Sequence, residues 1–408
     1  MSQYYKFKTA LLAVSLLVSH SLAATWPWSS ADSSAQIVFR DECKASHYTA
    51  YETYDKPIDF RTSPLDHFNG PKLNPMNRTA GEQWEFDGIG SDAKTGLVIG
   101  FYRDPNYAIL GTGNFRVSLD ILWENGTIYS QDHHVAHSVV EECNEQIIGT
   151  WSSPGVLYSF EVANDNRHAI IRVDTPTIKG SFEIESSAPA RYPDGSIFPN
   201  EEGTTAAAPF FHWVQPIPTG KINVDLSIEG SPYVWTGLGG HERLWSAFSW
   251  FTVLEGMNVV RAEVGPYQLT YLAFTSHILT PGVTYPSVFL SKNGEPIFTA
   301  TTGYVSKSEN YVTLSKKYGG KVTGGLGDRS TGHVLNLVSP KTGKHWYFDF
   351  EHNAVSFEFA LGEGSGGTGF AALATGGEIE GEKYHSVALV EQLLFPKDSP
   401  FFKSNYVE

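Results

Sequence analysis

One short segment of the chain concentrates residues that can carry out acid or base chemistry. The stretch LGGHERLWSAFSWF, residues 238–251, places a His-Glu-Arg triple directly after a glycine pair and before several aromatic residues. Imidazole and carboxylate groups transfer protons or bind metals, whereas aromatic rings wall apolar pockets. The stretch therefore raises three alternatives: a proton-transfer site, a metal site and the wall of a pocket.

The spacing of the histidines argues against a metal. A zinc helix of the H-E-x-x-H type needs a second His four residues after the first, and Trp245 occupies that position. The segment DHHVAH contains His133, His134 and His137. On one strand His133 and His137 would share a face and His134 would point away, so three ligands would not converge. We predict no metal site.

Two hydrolase signatures also fail, which leaves an apolar pocket with a few polar groups. GEGSGGTG at 362–369 lacks the G-x-S-x-G spacing, so we predict a flexible loop there. A glycosidase needs two facing carboxylates, and spacing cannot select a pair among 44 acids. Part of the aromatic set must be core, but rings beside ionisable groups in both halves favour a pocket at a domain interface. The candidates are Trp84, Tyr102, Trp123, Trp213, Trp235, Trp245, Trp250, Trp346 and Tyr347, beside Glu85, Asp120, His212, His241, Glu242 and Arg243.

Short strands must position these residues. Runs such as GLVIGFYRD and GHVLNLVSP are rich in β-branched and aromatic residues and end at Gly, Pro, Asn or Asp. Asn-Gly at 125–126 predicts a hairpin, and helical periodicity is limited to a short helix near 244–256. The sequence therefore predicts an all-β chain of antiparallel barrels or sandwiches. Residues 191–209, rich in Pro and Gly, predict a connection between a domain at 24–205 and another at 206–408.

The N-terminus has the features of a secretory signal peptide. Lys6 and Lys8 precede an apolar run at 10–18, and small residues allow cleavage after Ala23. The run is too short to span a bilayer, and no later run resembles a spanning segment, so we expect no stable membrane insertion. We predict that residues 1–23 are removed and that the mature chain enters the secretory pathway.

The cysteines and the glycosylation sequons agree with an oxidising compartment. Cys43 and Cys143 are the two cysteines of the chain, and such a pair favours one disulfide, the alternative being two buried free thiols. Asn77 and Asn125 each begin an Asn-X-Thr sequon and are predicted glycosylation sites. The formal net charge of -15 argues against nucleic acid as a partner.

Four segments together resemble the fungal Diels-Alderases, which are distantly similar to hydroxyneurosporene synthase-like proteins. The segments are GGHERLWSAFSWFTVLEGMNVVRAEVGPYQLTYL (239–272), EQWEFDGIG (82–90), GFYRD (100–104) and LDILWENGT (119–127). The resemblance implies two lipocalin-like β domains with a ligand pocket at or near their interface. It also implies a cofactor-free pericyclase that catalyses a [4+2] cycloaddition of small apolar or polyene substrates. Holding the reacting groups in a near-attack pose lowers the barrier by roughly 7 to 11 kcal/mol.

Within this family the 239–251 segment most resembles the tropolone-sesquiterpenoid hetero-Diels-Alderases. That resemblance implies an intermolecular reaction between a quinone methide, made by dehydrating a hydroxymethyl tropolone, and a humulene-type sesquiterpene. Dehydration requires an acid or base, a role open to His241, Glu242, Arg243 or Asp120. The alternatives are an intramolecular decalin-forming Diels-Alderase of a polyketide-tetramate pathway, an isoprenoid hydratase or dehydratase, and a secreted lipocalin-like carrier of an apolar ligand.

The resemblance also assigns roles to single residues. Trp245, Trp250 and Trp346 match aromatic pocket positions, and first-domain positions that face the ligand in decalin-forming relatives are matched by Glu85, Tyr102 and Asp120. We predict catalytic roles for His241, Arg243, Asp120 and Glu85. The predicted substrate-binding residues are Trp245, Trp250, Tyr102, Trp346, Trp84, Trp123 and Trp213.

Overall fold

Antiparallel strands form nearly all of the regular structure. The computed structural model describes residues 42–55, 57–105, 112–362 and 364–396, and the predicted signal peptide at 1–23 lies outside these ranges. One helix occurs in the described residues, the single-turn α1 (Trp250–Val253). The all-β prediction is confirmed. No helix in the described part of the chain is long and apolar enough to cross a membrane.

The first sheet curls into a half-barrel of 13 strands. Its strands are β1 (Lys44–Thr49), β4 (Gly81–Gly90), β5 (Gly96–Arg103), β6 (Phe115–Leu122), β7 (Ile128–His134), β8 (His137–Glu142), β9 (Gln146–Ser153), β10 (Val156–Ala163), β11 (His168–Asp174), β12 (Ile178–Ser186), β13 (Ala206–Ala208), β14 (Phe211–Ile228) and β15 (Ser231–Ser246). Hydrogen-bonded neighbours follow the order β1-β8-β9-β10-β11-β12-β14-β15-β4-β5-β6-β7, and β13 pairs with β14. A separate ladder joins β2 (Asp59–Phe60) to β3 (Leu73–Asn74).

The second sheet forms a nearly closed barrel of nine strands. Its strands are β16 (Leu254–Val264), β17 (Tyr267–Ser276), β18 (Thr284–Lys292), β19 (Glu295–Ala300), β20 (Tyr311–Lys317), β21 (Gly332–Ser339), β22 (Lys344–Gly362), β23 (Ser365–Glu378) and β24 (Tyr384–Leu394). Their order in the sheet is β19-β18-β17-β16-β24-β23-β22-β21-β20.

Each sheet encloses its own hydrophobic core. Alternate residues of each strand face the same side, so one apolar set per strand fills the interior. Phe86 and Phe160 are fully buried inside the first sheet, and Leu335, Phe348 and Phe370 are fully buried inside the second. Two cores are the expected solution for a chain of this length, since one core seldom serves so many residues.

The second barrel packs against one face of the first sheet. β22 lies along β5, β6 and β7, β24 lies along β4, and β16 lies along β14 and β15. One end of this contact is a dry cluster of Ile89, Leu122, Ala371 and Leu389. The contact therefore has an apolar end whose side chains are fully buried.

The change from the first sheet to the second falls at α1. β14 and β15 pair with β12 and β4, so residues 211–246 belong to the first sheet. The predicted domain boundary after residue 205 therefore does not coincide with a change of sheet. The Pro- and Gly-rich stretch that indicated it is a connection between two strands of the same sheet.

Three local predictions have different outcomes: one is confirmed, one is wrong and one is correct only in part. The hairpin at 125–126 is present, with Gly126 at a φ of 81° and the Trp123 amide donating to the Thr127 carbonyl over 2.9 Å. The prediction of a flexible loop at 362–369 is wrong, because Gly362 pairs with Ser365 and β23 begins at Ser365. The helix near 244–256 is reduced to the single turn of α1. β15 continues through Ser246, and its residues 238–246 are buried on both faces. Such a run has no period that distinguishes strand from helix.

The DHHVAH histidines do not lie on one strand. His133 and His134 end β7, whereas His137 begins β8, and these strands are not neighbours in the sheet. His133 Nδ1 lies 2.8 Å from the hydroxyl of Tyr158. In the described ranges no group of three or more His, Cys, Asp or Glu side chains can hold a metal ion.

The predicted disulfide between Cys43 and Cys143 is present and spans 100 residues of sequence. It lies beside the pairing of β1 with β8, where Lys44 faces Glu142. Asn125 is exposed at its hairpin tip and Asn77 is half-buried in a turn, and glycosylation of both stays a prediction.

Replacing both cysteines with serine should destabilise the protein. Loss of a crosslink over about 100 residues frees the unfolded chain and lowers the free energy of unfolding by about 4 to 5 kcal/mol. Urea denaturation of the wild type and of the Cys43→Ser, Cys143→Ser variant measures this difference. A reductant should bring the wild type to the variant's midpoint and leave the variant unchanged. Equal midpoints under oxidising conditions would contradict the prediction.

Candidate active site

The His-Glu-Arg triple lies on β15, whose successive side chains point to opposite faces. His241 and Arg243 point into the core of the first sheet, where they meet Phe86 and Trp84. Glu242 points to the other face and meets Arg261 of the second sheet. The three groups therefore cannot act on one substrate atom.

His241 is fully buried. Its ring stacks on Phe86 with centroids 3.9 Å apart. Nδ1 lies 2.7 Å from the backbone oxygen of Glu85, and Nε2 lies 2.6 Å from Oδ1 of Asn69. Burial lowers the pKa of His241 well below its ordinary value, so the ring is neutral. Its hydrogen bonds tie β15 to β4 and to the loop that carries Asn69.

Arg243 has the same structural character. Its guanidinium lies 3.6 Å from the ring centroid of Trp84 and donates to Glu82 over 2.9 Å. It also donates to the backbone oxygens of Phe68, Gln83 and Gly70. Both partners of the Arg243–Glu82 pair are fully buried. These contacts hold Arg243 away from the second sheet.

A different set of side chains faces the second sheet. Glu85 lies on β4, Tyr102 on the neighbouring β5, and Arg116, Ser118 and Asp120 at alternate positions of β6. Tyr102 is paired with Arg116, and Val98 of β5 is paired with Asp120. The indole of Trp250 on α1 lies beside them, with ring centroids 6.4 Å from Tyr102. All are half-buried, so they line a partly open face between the sheets. We call this face the cleft and define it by Glu85, Tyr102, Arg116, Ser118, Asp120 and Trp250.

Glu85 is the strongest candidate for chemistry in the cleft. Burial and the nearby carboxylates of Glu242 and Asp87 together raise the pKa of Glu85 to about 8, although Arg261 and a hydrogen bond from Gln83 act in the opposite direction. Gln83 donates to the Glu85 carboxyl group and also lies 3.2 Å from the Tyr102 hydroxyl. At neutral pH the carboxyl is mainly protonated and can donate a hydrogen bond.

Asp120 is a second acid of the cleft. Burial raises the pKa of Asp120 to about 6, with a hydrogen bond from Ser130 acting in the opposite direction. Asp120 is therefore mostly ionised at pH 7. Beside it, the Arg116 guanidinium lies 4.2 Å from the ring centroid of Tyr102. The cleft thus combines a neutral acid, an ionised acid and a cation.

The other predicted residues lie outside the cleft. Trp84 is in the first core, and Trp245 packs in a cluster with Phe68, Tyr192 and Val214. Trp346 is inside the second barrel, and Trp123 packs on Tyr233 at the core of the first sheet. Trp213 is buried in a cluster with Phe211 and Phe274 and donates to Glu242 over 3.1 Å. Of the predicted site residues the structure brings together Glu85, Tyr102, Asp120 and Trp250.

Three buried polar residues at the sheet contact escaped the sequence reasoning. They are Gln83 on β4, Arg261 on β16 and Glu391 on β24. For Gln83 a signal existed, because EQWEFD places polar residues at alternate positions 83, 85 and 87 of a strand. Arg261 and Glu391 lie in strands made mostly of apolar residues, and no local pattern shows that they face the other sheet.

The fold and the cleft define a two-sheet, lipocalin-like protein with polar groups at the contact of its sheets. Residues 40–396 match the family described as Diels-Alderase-like. The chain is 50% identical over 370 residues to Diels-Alderase ffsF of Aspergillus flavipes, with 90% of each chain covered. It is 42% identical over 411 residues to Diels-Alderase cheD of Chaetomium globosum, covering 98% of this chain and 97% of that relative.

A solved structure shares the fold. The crystal structure of CghA with Sch210972 has a TM-score of 0.76 at 22% identity, covering 87% of this chain and 100% of that one. The chain belongs to the Diels-Alderase-like family, as the resemblance of its sequence indicated. It is therefore an enzyme of the cycloaddition class.

Replacing Arg243 should affect stability rather than the chemical step. Arg243→Met leaves Glu82 without its closest charge partner in the core, so we expect the free energy of unfolding to fall by about 3 to 5 kcal/mol. Urea denaturation measures this loss, and activity per folded molecule should stay at the wild-type value.

Arg172→Met is the matched control. It removes an ion pair with Glu161 that is partly exposed, and such pairs contribute no more than about 1 kcal/mol. A stable Arg243→Met variant without activity would place Arg243 in the catalytic machinery.

Proposed function

We propose that this chain catalyses a stereoselective [4+2] cycloaddition in the cleft, with Glu85 as hydrogen-bond donor to a carbonyl group of the substrate. The observation that carries the proposal is the placement of the half-buried Glu85 carboxyl group beside Gln83 and Tyr102 on the face of β4 that meets the second sheet, and its raised pKa of about 8 agrees with a donor role. Membership of the Diels-Alderase-like family supports the reaction class.

The reaction needs positioning and one polarising contact. Two carbon–carbon bonds form between diene and dienophile as their π bonds rearrange, and no proton is gained or lost. A donor on the dienophile carbonyl stabilises the negative charge that grows on its oxygen, and one such contact is worth roughly 3 to 4 kcal/mol in an enclosed site. No redox or group-transfer step occurs, so we propose that the reaction proceeds without a cofactor.

Aromatic side chains beside Glu85 supply shape. Trp250 lies near Tyr102 and near Phe211, with ring centroids 5.9 Å from the latter. Rings restrict the approach of diene to dienophile and exclude water, which favours a single stereochemical outcome. We propose that Trp250 and Tyr102 bind the apolar part of the substrate.

The predicted hetero-Diels-Alder branch needs a dehydration step that the intramolecular branch does not. Of the groups considered for that step, His241 and Arg243 lie in the first core, and Glu242 is bound to Arg261, Trp213 and Gln215. Asp120 faces the cleft and is mostly ionised at pH 7, so it can act there as a base but not as the acid that protonates the leaving hydroxyl group. We therefore put first the intramolecular reaction of a polyene joined to a carbonyl-bearing head group, of the decalin-forming kind. The reaction of a tropolone quinone methide with a humulene-type sesquiterpene is the alternative.

The compartment is a further part of the proposal. A disulfide between Cys43 and Cys143 fits an oxidising lumen, which supports entry into the secretory pathway.

Glu85 gives a direct test of the polarising contact. Because the protonated form is the donor, wild-type kcat/KM should be high at neutral pH and fall as the pH rises through about 8. Glu85→Ala removes the donor and should lower kcat/KM by about 10²- to 10³-fold. Glu85→Gln keeps an N–H donor, so its rate should not change with pH in this range.

The control for Glu85 is Asp225→Asn, which neutralises an exposed acid on β14. Its pH profile should match the wild type. A flat wild-type profile together with full activity of Glu85→Ala would refute the role of Glu85.

The two substrate branches are separated by product analysis. Purified protein is incubated either with a linear polyene that carries a carbonyl-activated dienophile, or with a hydroxymethyl tropolone and humulene. We expect an excess of one stereoisomer only with the polyene, shown by chiral chromatography. An enantiomerically enriched tropolone adduct would establish the hetero-Diels-Alder branch instead. Recovery of both ligands unchanged after tight binding would identify a carrier.

A further inference from the structure

Two phenylalanine side chains of β22 lie side by side on the second barrel. Phe357 and Phe359 are two positions apart in the chain, and their rings are nearly parallel, with planes 14° from each other and centroids 6.1 Å apart. Phe357 is buried, whereas 42% of Phe359 is exposed. β22 is the strand of the second barrel that lies along β5, β6 and β7 of the first sheet. The face of the barrel on which the rings lie decides whether they border the cleft.

The glycines of β23 show that both rings lie on the face toward the first sheet. Ala371 of β23 belongs to the same buried cluster as residues of β4 and β6. Alternate residues of a strand share a face, and β23 pairs with β24 without a bulge, so positions 369 and 367 face the first sheet as well. A Cβ atom at Gly369 would lie 2.2 Å from Cε1 of Phe357, and a Cβ atom at Gly367 would lie 2.6 Å from Cε1 of Phe359. Each ring thus occupies the space of a missing side chain on that face.

The two rings also lie at the level of the cleft along the sheet contact. Ala354, which precedes them on β22, packs against the buried cluster that contains Leu122, at one end of β6. Leu361, which follows them, packs against the same cluster as Trp250. Trp250 lies beside Tyr102, and Tyr102 is paired with the other end of β6. The rings therefore lie opposite the stretch of β6 that carries polar groups of the cleft.

Glycine at positions 367 and 369 keeps this part of the cleft open. A larger residue at either position would push the ring above it toward the first sheet and fill the gap between the sheets. With glycine there, the Phe359 ring lies close over β23, and much of it stays exposed although its strand lies at a sheet contact. Leu393 of β24 extends the same surface, because its Cγ would lie 3.2 Å from a Cβ atom at Gly367. The result is an apolar surface with space in front of it.

The two walls of the cleft differ in chemistry. The first sheet presents two acids and a cation, whereas the facing part of the second barrel presents two aromatic rings. A ligand that fits both walls has a polar head group and an apolar chain. A conjugated chain is flat as well as apolar, and flat π systems pack well against aromatic rings. The surface therefore suits a polyene chain.

We propose that Phe357 and Phe359 are specificity-determining residues that bind the conjugated chain of the substrate and set the way it folds in the cleft. The inference rests on the proposed function, in which Glu85 holds the carbonyl head group at the first sheet. With the head on one sheet and the chain on the other, the diene approaches the dienophile from one side, which selects one stereoisomer. Phe359 is the more exposed of the two rings and makes the larger contact with the chain.

Binding of a conjugated polyene tests the phenylalanine pair without the reaction. cis-Parinaric acid is a tetraene fatty acid whose fluorescence rises in apolar surroundings. Phe359→Ala should raise its Kd about tenfold, because most of the contact with one ring is lost. The matched control is Leu373→Ala. Leu373 is 48% exposed on the same face of β23, beyond Ala371 and away from the cleft, so its removal should leave the Kd at the wild-type value.

The reaction tests the pair in catalysis. With a linear polyene that carries a carbonyl-activated dienophile, Phe359→Ala should raise KM about tenfold and lower the excess of one stereoisomer. With a shortened substrate that lacks the chain beyond the diene, the wild type and Phe359→Ala should have the same KM. This dependence on chain length is not expected from a general loss of stability. Near-UV circular dichroism confirms the fold of each variant.

Gly369→Ala tests the position of the Phe357 ring. The added methyl group would lie 2.2 Å from Cε1 of Phe357, so the ring must move toward the first sheet. We expect a changed ratio of stereoisomers with the full-length polyene, measured by chiral chromatography. An unchanged ratio in this variant and in Phe359→Ala would contradict a role of the pair in folding the chain.

The measurements separate failure of the inference from failure of the proposed function. An active Phe359→Ala enzyme with wild-type Kd for cis-parinaric acid, wild-type KM and wild-type stereoisomer excess would overturn the inference and leave the cycloaddition intact. Tenfold weaker binding of cis-parinaric acid by Phe359→Ala, in a protein that forms no cycloadduct, would establish the polyene surface and refute the proposed function. A dimer that Phe359→Ala dissociates, seen by sedimentation and without binding of cis-parinaric acid, would assign the rings to a contact between copies and overturn the inference.

Discussion

The contact of Arg261 with the first sheet is the interaction on which the arrangement of the two sheets depends. This guanidinium leaves β16, crosses to the first sheet and places every N–H bond on an acceptor there. The approach is so close that a Cβ atom at Gly240 would lie 1.8 Å from Arg261 Nη1. The absence of a side chain at Gly240 therefore leaves room for the Arg261 guanidinium, which donates a hydrogen bond to Glu242.

This arginine also explains why an acid in the cleft stays neutral. A buried guanidinium must be matched by anions, and Asp87 and Glu242 fill that role with good geometry. Their negative charge then raises the pKa of the nearby Glu85. The ion pairs that hold the sheets together thus produce the electrostatic setting that a hydrogen-bond donor requires. Stability of the contact and preparation of the site come from the same side chains.

The sequence predicts the fold well because strand formation is local. Alternation of apolar and polar residues, hairpin residues such as Asn125 and Gly126, and the lack of helical periodicity identify an all-β chain. The site is harder to predict, because a residue on a buried strand faces either its own core or the neighbouring sheet. Residues 238–246 of β15 are buried on both faces, so no local pattern shows that His241 points inward and Glu242 outward. That choice depends on pairing with β4, which lies about 150 positions earlier in the chain.

Long-range pairing also explains why the cleft residues come from distant parts of the chain. Glu85, Tyr102 and Asp120 lie on consecutive, paired strands, so their spacing is fixed by the hydrogen bonds of the sheet. Trp250 differs, because α1 lies where the chain passes from one sheet to the other. Its position depends on how the second barrel sits on the first sheet, and therefore on Arg261. The two parts of the cleft are therefore positioned by different interactions. The polar groups are held by strand register, whereas the aromatic wall is held by the ion pairs between the sheets.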